Sequence, residues 1–279
     1  MPVEWLKTKI LEKLVEYKKT QKDLRNLDSG TYRGKLYDHI LPLADKKYKN
    51  KANIIEYYRD DFYKSELSKI KYHKYFHHLN SSQAMCINFF YPLIKKEQLN
   101  IVLEILNIPG AVDYKETCFE KEGKETEGRK TNFDFYIRTD ALNLYFEIKY
   151  TEQDYAAAKN DGEHRNKYEC VYKPMLDKGV IRKEYADRRV FLKNYQILRN
   201  LLHIDDNSHI VFVYLRDNGT MTDKIEEIRE CMLTEQYKDR FKYIDWHSFF
   251  EKVTVKLDFA NDERLKRHYD EFRMKYLNY

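Results

Sequence analysis

Residues 132–150 read NFDFYIRTDALNLYFEIKY and form two apolar runs with a short polar break between them. This pattern predicts a β-hairpin. We place the turn between Asp140 and Ala141, so that the numbers of paired residues sum to 281. Asp134 then lies directly opposite Glu147, and directly opposed side chains share one face of a sheet with Cβ atoms roughly 4.5–5.5 Å apart. The sequence therefore predicts two neighbouring carboxylates on one face of the hairpin.

Two carboxylates at this spacing repel each other unless a cation lies between them or one of them is protonated. A divalent ion resolves the conflict, and Mg²⁺ prefers oxygen ligands, retains several waters and accepts phosphate oxygens. We therefore expect Asp134 and Glu147 to bind Mg²⁺, with Mn²⁺ able to replace it. Because side chains alternate along a strand, Lys149 lies on the same face as Glu147 and is expected to orient or activate a bound water.

The alternative is a solvated strand end, which carries charged residues in many proteins. It is disfavoured here because the second strand is apolar on both faces up to Phe146, and because an aspartate lies opposite the glutamate. Two carboxylates with a neighbouring ammonium group are the minimum set for metal-assisted phosphodiester hydrolysis.

The surrounding sequence predicts a mixed α/β layout. Apolar spacing predicts helices over residues 3–17 and 54–70, with a turn at 27–32 between them. A third helix starts at 80–82 with Ser81 or Ser82 as N-cap, Pro92 restarts or kinks it, and a helical stretch covers 93–106. Strands follow at 112–119, 133–138 and 142–150, with a charged loop at 120–130. Helical stretches extend to about residue 203, followed by a strand at 209–215, a helix from about 223, a short strand at 241–244 and a terminal helix.

Several motifs together resemble the PD-(D/E)XK nuclease superfamily, whose restriction-endonuclease-like core is a helix, three strands, a helix and a strand. The resemblance rests on Phe133-Asp134 and on FEIKYTE at 146–152, and it covers roughly residues 80–250. SSQA at 81–84 and YQxxRN at 195–200 are similar to a branch of small bacterial type II restriction endonucleases. The chain has Phe133 where the family motif has proline. The resemblance implies a helical N-terminal arm at 1–79 that contacts DNA, and a nuclease core at 80–279.

The resemblance also implies roles for single residues. The matched Asp134 and Glu147 hold Mg²⁺, and Lys149 assists the attacking water. Gln196 is expected to hold the scissile phosphate or the water, the alternative being a solvated helix face. An additional acidic residue is common among these nucleases, and either Glu120, which we prefer as a further metal ligand, or Glu104 would supply it. Glu152 is a weaker candidate for a contact through water.

Basic residues indicate where DNA would bind. The net charge of +5 is compatible with a polyanionic partner, although charge alone is weak evidence. Phosphate contacts of this kind make binding sensitive to salt, whereas a solvated helix face would carry the same residues without function. The candidate contacts are Arg129, Lys130, Arg188, Arg189, Lys193 and Arg199.

His73, His77 and His78 form a further cluster in which two imidazoles stand at i and i+4 of a possible helix. This spacing is compatible with zinc. The interspersed Tyr72 and Tyr75 favour instead a helix that faces DNA or is merely amphipathic.

The composition, with 35% charged and 15% aromatic residues, excludes a disordered chain. No apolar run approaches the roughly 20 residues that span a bilayer, so we expect a cytoplasmic protein. The four cysteines are far apart in sequence and are expected to be reduced and buried.

These observations favour a Mg²⁺-dependent endonuclease that cuts double-stranded DNA in restriction or another defence role. One alternative is a DNA-repair or RNA nuclease of the same fold, and another is a non-catalytic nucleic-acid-binding protein. Cutting both strands at a symmetric site is most simply done by a twofold dimer, so a homodimer is a further possibility.

Overall fold

The computed structural model describes residues 3–43, 51–125, 130–152 and 155–279. The contacts divide the chain into two compact units. The first unit comprises 1–109, 148–151 and 245–279, and the second comprises 110–147 and 152–244. The sequence-based division after residue 79 differs from this one, since the helices at 82–105 belong with the N-terminal helices.

The described residues form helices in both units and two sheets. The helices are α1 (Val3–Thr20), α2 (Glu56–Lys64), α3 (Ser82–Lys95), α4 (Asn100–Ile105), α5 (Gly162–Lys167), α6 (Lys173–Leu176), α7 (Arg188–Lys193), α8 (Tyr195–Leu201), α9 (Gly219–Glu227), α10 (Trp246–Lys256) and α11 (Glu263–Tyr276). The strands are β1 (Gly30–Tyr32), β2 (Lys35–Tyr37), β3 (Val112–Glu122), β4 (Asn132–Thr139), β5 (Asn143–Ile148), β6 (Ser208–Tyr214) and β7 (Phe241–Asp245).

The main sheet is mixed, with the strand order β3-β4-β5-β6-β7. β4 pairs antiparallel with both β3 and β5. In the β4–β5 hairpin, Phe135 lies opposite Phe146 and Arg138 opposite Asn143. The numbers in each pair sum to 281, so the register predicted from the sequence is confirmed over these residues. The predicted α/β architecture with a central sheet flanked by helices is likewise confirmed.

The second unit has an apolar core to which the sheet and α6 to α9 contribute. Every residue of β6 is buried, as the apolar run at 210–214 predicts for a strand inside a sheet. Phe191 of α7 and Ile197 and Leu201 of α8 are buried in the same cluster as Phe212 of β6. Burial of each such side chain stabilises the fold by about 1.5–3 kcal/mol, which fixes α8 within this unit.

The first unit is mainly helical, and aromatic rings fill its core. The ring of Phe89 in α3 lies 5.1 Å from Trp246, 4.9 Å from Phe249 and 5.4 Å from Phe272, measured between ring centroids. Ser81 caps α3, since its hydroxyl accepts a hydrogen bond from the Ala84 amide, as predicted. Within the ranges that the structure describes, no helix combines the length and apolar character needed to cross a membrane.

α3 runs through Pro92 to Lys95, so the restart that the sequence predicted there does not occur. A proline lacks the N–H group that would bond to the carbonyl four residues earlier, here that of Asn88. His268 Nε2 lies 2.7 Å from this carbonyl oxygen and donates to it instead. Burial lowers the pKa of His268 to about 4, so the imidazole is neutral. The helix breaks only after Lys95, where Glu97 has a φ of 53°.

Six other sequence-based expectations need correction. The predicted turn at 27–32 contains β1, which pairs with β2, and residues 71–79, expected to be helical around the histidines, form turns and a bridge. The second helix is shorter than predicted, the terminal helix is two helices, and β3 continues to Glu122 into the predicted loop. All four cysteines are free, but Cys170 and Cys231 are exposed rather than buried.

Candidate active site

Asp134 and Glu147 lie on adjacent strands of the main sheet. The pairing of β4 with β5 runs as far as Phe135 and Phe146, and the same register continued by one residue would put Asp134 opposite Glu147. Asp134 is half-buried, whereas only 6% of the Glu147 surface is exposed. The two predicted carboxylates are therefore carried on adjacent strands, Asp134 on β4 and Glu147 near the end of β5.

Gln196 holds Glu147 in place. Its Nε2 donates to Glu147 Oε1 over 3.0 Å, and its Oε1 accepts from the Ala156 amide over 3.1 Å. Gln196 lies in the first turn of α8, where amide groups have no partner within the helix, and its N–H donates to the Ala156 carbonyl over 3.1 Å. Three hydrogen bonds thus fix the residue, and its side-chain amide is directed at the carboxylate rather than at solvent.

Lys149 belongs to the first unit and follows β5 directly. Its carbonyl oxygen accepts a hydrogen bond from Trp246 Nε1 over 3.1 Å, and the next residue, Tyr150, donates its hydroxyl to the Tyr276 carbonyl over 3.2 Å. The lysine itself is buried. The indole and the phenol therefore anchor the main chain on which this ammonium group is carried.

The candidates for an additional acidic residue have other partners. Glu120 has a φ of 56°, in the left-handed region, and its carboxylate accepts a hydrogen bond from the Asn132 side chain. Glu104 forms an ion pair with Lys256 at 2.7 Å. The carbonyl of Glu152 accepts a hydrogen bond from the Asn218 amide group over 2.9 Å.

The donor set fits Mg²⁺ better than zinc. Within 3–43, 51–125, 130–152 and 155–279, no three His, Cys, Asp or Glu side chains are grouped so that they could hold a metal ion. Glu120 therefore does not join Asp134 and Glu147 in such a group, and neither do the three predicted histidines form one. A pair of carboxylates suits Mg²⁺, which is commonly held by one or two carboxylates while waters and phosphate oxygens complete its shell.

The predicted DNA contacts fall into three groups. Arg129 lies outside the described residues. Lys130 is paired with Glu122, Arg188 with Glu169, and the Arg199 guanidinium lies over the ring of Tyr195. Arg189 and Lys193, both on α7, are exposed. The α7 pair is thus the most accessible part of the predicted basic surface.

Sequence reasoning missed the part played by Ala156. Its backbone N–H and carbonyl both bond to Gln196 and so fix the orientation of the side-chain amide. Backbone groups carry no residue identity, so no signal in the sequence indicated this contact.

A mixed five-stranded sheet flanked by helices, with two carboxylates on its central hairpin, defines a restriction-endonuclease-like protein. A family model described as restriction endonuclease associating with ARP matches residues 13–277, and the chain belongs to this family. No curated protein and no solved structure matches the chain. The family match confirms the predicted resemblance to restriction endonucleases. It places the protein among nucleases in general and implies DNA as the substrate.

Proposed function

We propose that the protein is a Mg²⁺-dependent endonuclease that hydrolyses phosphodiester bonds of double-stranded DNA, in restriction or another defence role. The observation that carries the proposal is Glu147. It is buried, it follows Asp134 in the hairpin register, and a dedicated side chain, that of Gln196, orients it. A carboxylate that was merely solvated would not require a half-buried amide to orient it.

In the proposed reaction, Asp134 and Glu147 would hold the metal, and Gln196 acts as a positioning residue for Glu147. The bound metal would supply a lowered pKa for a water ligand and stabilisation of charge at the phosphoryl oxygens. Lys149 would orient the attacking water or stabilise the charge on phosphorus. The water oxygen bonds to phosphorus and loses a proton, the ester P–O bond breaks, and the leaving oxygen takes up a proton.

Exposed cations on α7 would contact the phosphate backbone. Arg189 and Lys193 are suited to this because both are exposed, and among the residues that the structure describes no carboxylate pairs with them as Glu169 pairs with Arg188. Each phosphate contact of this kind adds roughly one to the slope of binding against salt. A homodimer would place two such sites on one duplex, and a cytoplasmic location would keep the exposed thiols of Cys170 and Cys231 reduced.

The test is cleavage of supercoiled plasmid by the full-length protein with Mg²⁺ and with EDTA. We expect nicking and linearisation with Mg²⁺ or Mn²⁺, and none with EDTA. Asp134→Asn and Lys149→Met should each lower the rate by at least about 100-fold, because each removes a charge that acts on the reacting phosphate. Asp206→Asn, which changes an exposed aspartate in the turn before β6, is the matched control.

Three outcomes would contradict the proposal. Binding of duplex at low salt without any cleavage would indicate a non-catalytic DNA-binding protein. Cleavage of RNA or branched DNA but not of plasmid would indicate a repair or RNA nuclease. Full activity of Asp134→Asn would remove that residue from the site.

A further inference from the structure

A second concave site lies in the first unit, at the hairpin of β1 and β2. It encloses about 290 Å³, at the lower end of the roughly 300–1,000 Å³ found for small-molecule pockets. Five aromatic rings dominate its lining, together with the ammonium group of Lys7. We call it the aromatic pocket, and its rings are those of Tyr32, Tyr37, His39, Tyr75 and His78.

Three segments line this pocket: part of α1, the β1–β2 hairpin with the residues after it, and residues 75–80. Arg33 and Gly34 both have positive φ, at 49° and 77°, which closes the tight turn between β1 and β2. All three residues of β2 are exposed, so the hairpin projects its tyrosines instead of burying them in a core. A β-bridge between Ile40 and His78 joins the residues after β2 to the segment at 71–79. Because residues 71–79 form turns and a bridge instead of a helix, His78 lies beside the hairpin and lines the pocket.

The rings contact one another mainly by their edges. Tyr32 meets Tyr75 at 5.5 Å and His78 at 5.8 Å between centroids, both in T-shaped arrangements. His39 meets His78 in the same way at 6.3 Å. An edge-to-face contact covers a face of only one of its two rings, and a flat ligand can stack on a face that stays exposed. Tyr37 and Tyr75 retain 36% and 40% exposure at the rim.

The charges around the pocket are those that attract a nucleic acid. Segments 7–11, 32–40 and 74–80 contain five basic residues and a single acidic one, Asp38. The Asp38 carboxylate accepts a hydrogen bond from the Ser29 hydroxyl. The Arg33 guanidinium lies over the Tyr32 ring at 5.3 Å, and the Lys74 ammonium over the Tyr75 ring at 4.5 Å. Cations on the rim favour a polyanion and disfavour a cationic ligand.

The imidazoles in the lining are neutral near pH 7. Burial lowers the pKa of His39, and burial together with His77 and His39 lowers the pKa of His78 to about 4. A neutral imidazole offers one donor and one acceptor nitrogen beside its stacking face. Asn80 adds a polar edge, since its Oδ1 is buried and has no hydrogen-bond partner among the residues that the structure describes. The pocket therefore combines flat apolar faces with donors and acceptors at its margin.

The pocket is also tied to the segment that carries Lys149. Asn80 Nδ2 donates to Thr151 Oγ1 over 2.8 Å, and Thr151 is two residues from Lys149. All three residues belong to the first unit. A ligand that contacts Asn80 thus contacts the residue whose side chain is hydrogen-bonded to Thr151, in the segment that follows β5.

We propose that the aromatic pocket binds one unstacked base of DNA, which stacks on the tyrosine rings while Lys7 and the rim cations contact its phosphates. A base inside a duplex cannot enter a closed concave site, so the occupant is extrahelical. This inference rests on the proposed function in taking DNA as the partner.

The test measures binding by fluorescence anisotropy in EDTA, so that cleavage plays no part. The probes are a short labelled duplex and the same duplex with one bulged adenine. We expect the wild type to bind the bulged duplex about tenfold more tightly, as one aromatic stack on a base supplies. Tyr37→Ala and Tyr75→Ala should each remove most of this preference, and Tyr37→Phe and Tyr75→Phe should retain it. Tyr243→Ala is the matched control, because Tyr243 is 37% exposed in the second unit.

Equal affinity for the two duplexes would overturn the inference, as would an equal loss in Tyr243→Ala. Displacement of the bulged duplex by tetramethylammonium at constant ionic strength would also overturn it, because the pocket would then be a cation site. Cleavage is scored separately on plasmid. If the protein prefers the bulged duplex but does not cut plasmid, the pocket inference stands and the nuclease proposal is wrong. If it cuts plasmid but shows no preference for the bulge, the nuclease proposal stands and the pocket inference is wrong.

Discussion

Two glutamates of the second unit are almost equally buried, Glu125 with 3% and Glu147 with 6% of its surface exposed, but their surroundings differ. Glu125 is enclosed. Its Oε1 accepts from the Thr131 amide over 2.8 Å and from the Thr131 hydroxyl, and its Oε2 lies 3.3 Å from His203 Nε2. These contacts close the loop between β3 and β4 onto the residues that follow α8.

The imidazole of His203 is itself oriented by this loop. The Lys124 amide lies 3.2 Å from His203 Nδ1 and donates to it, so Nε2 bears the proton that faces Glu125. Gly123 packs against both side chains so closely that a Cβ there would collide with them. Gly123, Thr131 and His203 thus surround this carboxylate within the residues that the structure describes.

Glu147 instead lies at the end of a strand beside Asp134 in register, and the hydrogen bond from Gln196 reaches one of its oxygens. The difference teaches that burial alone does not identify a functional acid. An enclosed carboxylate contributes to stability, whereas a carboxylate oriented by a neutral amide beside a second acid is suited to catalysis. The same substitution in each position separates the two roles.

The largest effect is expected for Glu147→Gln. The amide preserves the shape of the side chain but lacks the charge that would bind a metal, so plasmid cleavage should fall by at least about 10³-fold, equivalent to several kcal/mol in the barrier. Thermal unfolding should stay close to that of the wild type. The matched control is Glu125→Gln, whose cleavage rate should be normal at a temperature where it is folded. Equal loss of activity in both variants would show that Glu147 and Glu125 do not differ in role.

A smaller effect is expected for Gln196→Met, which keeps the length of the side chain and removes the amide. Loss of a residue that orients a metal ligand costs about 10–100-fold in metal affinity or activity. We expect the Mg²⁺ concentration for half-maximal cleavage to rise by about that factor, a change that loss of packing alone would not produce. Gln236→Met, at an exposed glutamine of the same unit, should leave the Mg²⁺ dependence unchanged. An unchanged Mg²⁺ requirement in Gln196→Met would show that this residue is structural only.

The hairpin register was predictable because its determinants are local. Apolar alternation and a short turn specify which residues pair, and a slip by one residue would reverse the face of every side chain. The pairing of Phe135 with Phe146 therefore follows from the sequence alone. The hydrogen bond between Gln196 and Glu147 joins positions 49 residues apart, so no local pattern fixes its geometry.

Predictions from the sequence were wrong where a residue far away in the chain supplies a contact that the local sequence does not provide. Pro92 predicts a restart or a kink, and His268, 180 residues from Asn88, donates a hydrogen bond to the Asn88 carbonyl that the proline leaves without its helical donor. Glu125 lies in a charged segment that reads as an exposed loop, and its burial depends on His203, which is brought to it by the packing of α8. In both cases, tertiary contacts override a correct local preference.

Glu125→Gln should destabilise the protein by about 1–3 kcal/mol, because a buried amide cannot accept at both former oxygens and its NH₂ group faces the N–H of His203. The measurement is urea unfolding at neutral pH. Glu122→Gln is the control, since Glu122 is largely exposed and its pair with Lys130 is worth at most about 1 kcal/mol. A Glu125→Gln variant as stable as Glu122→Gln would show that the enclosed carboxylate contributes little.

The free energy of unfolding measured at acidic pH tests the same contribution of Glu125 further. Burial raises the pKa of Glu125, but His203 and the hydrogen bond from Thr131 outweigh it and lower the pKa from a usual 4.5 to about 2. Because the folded state binds this proton less readily than the unfolded state, the contribution is fully present above pH 4.5 and is lost as the pH falls toward 2. The difference in unfolding free energy between wild type and Glu125→Gln should therefore be constant from pH 5 to 7 and shrink below about pH 4.5. The same difference taken for Glu122→Gln should change little over this range, and a difference that stays constant down to pH 3 would mean that the charge of Glu125 is not what stabilises the loop.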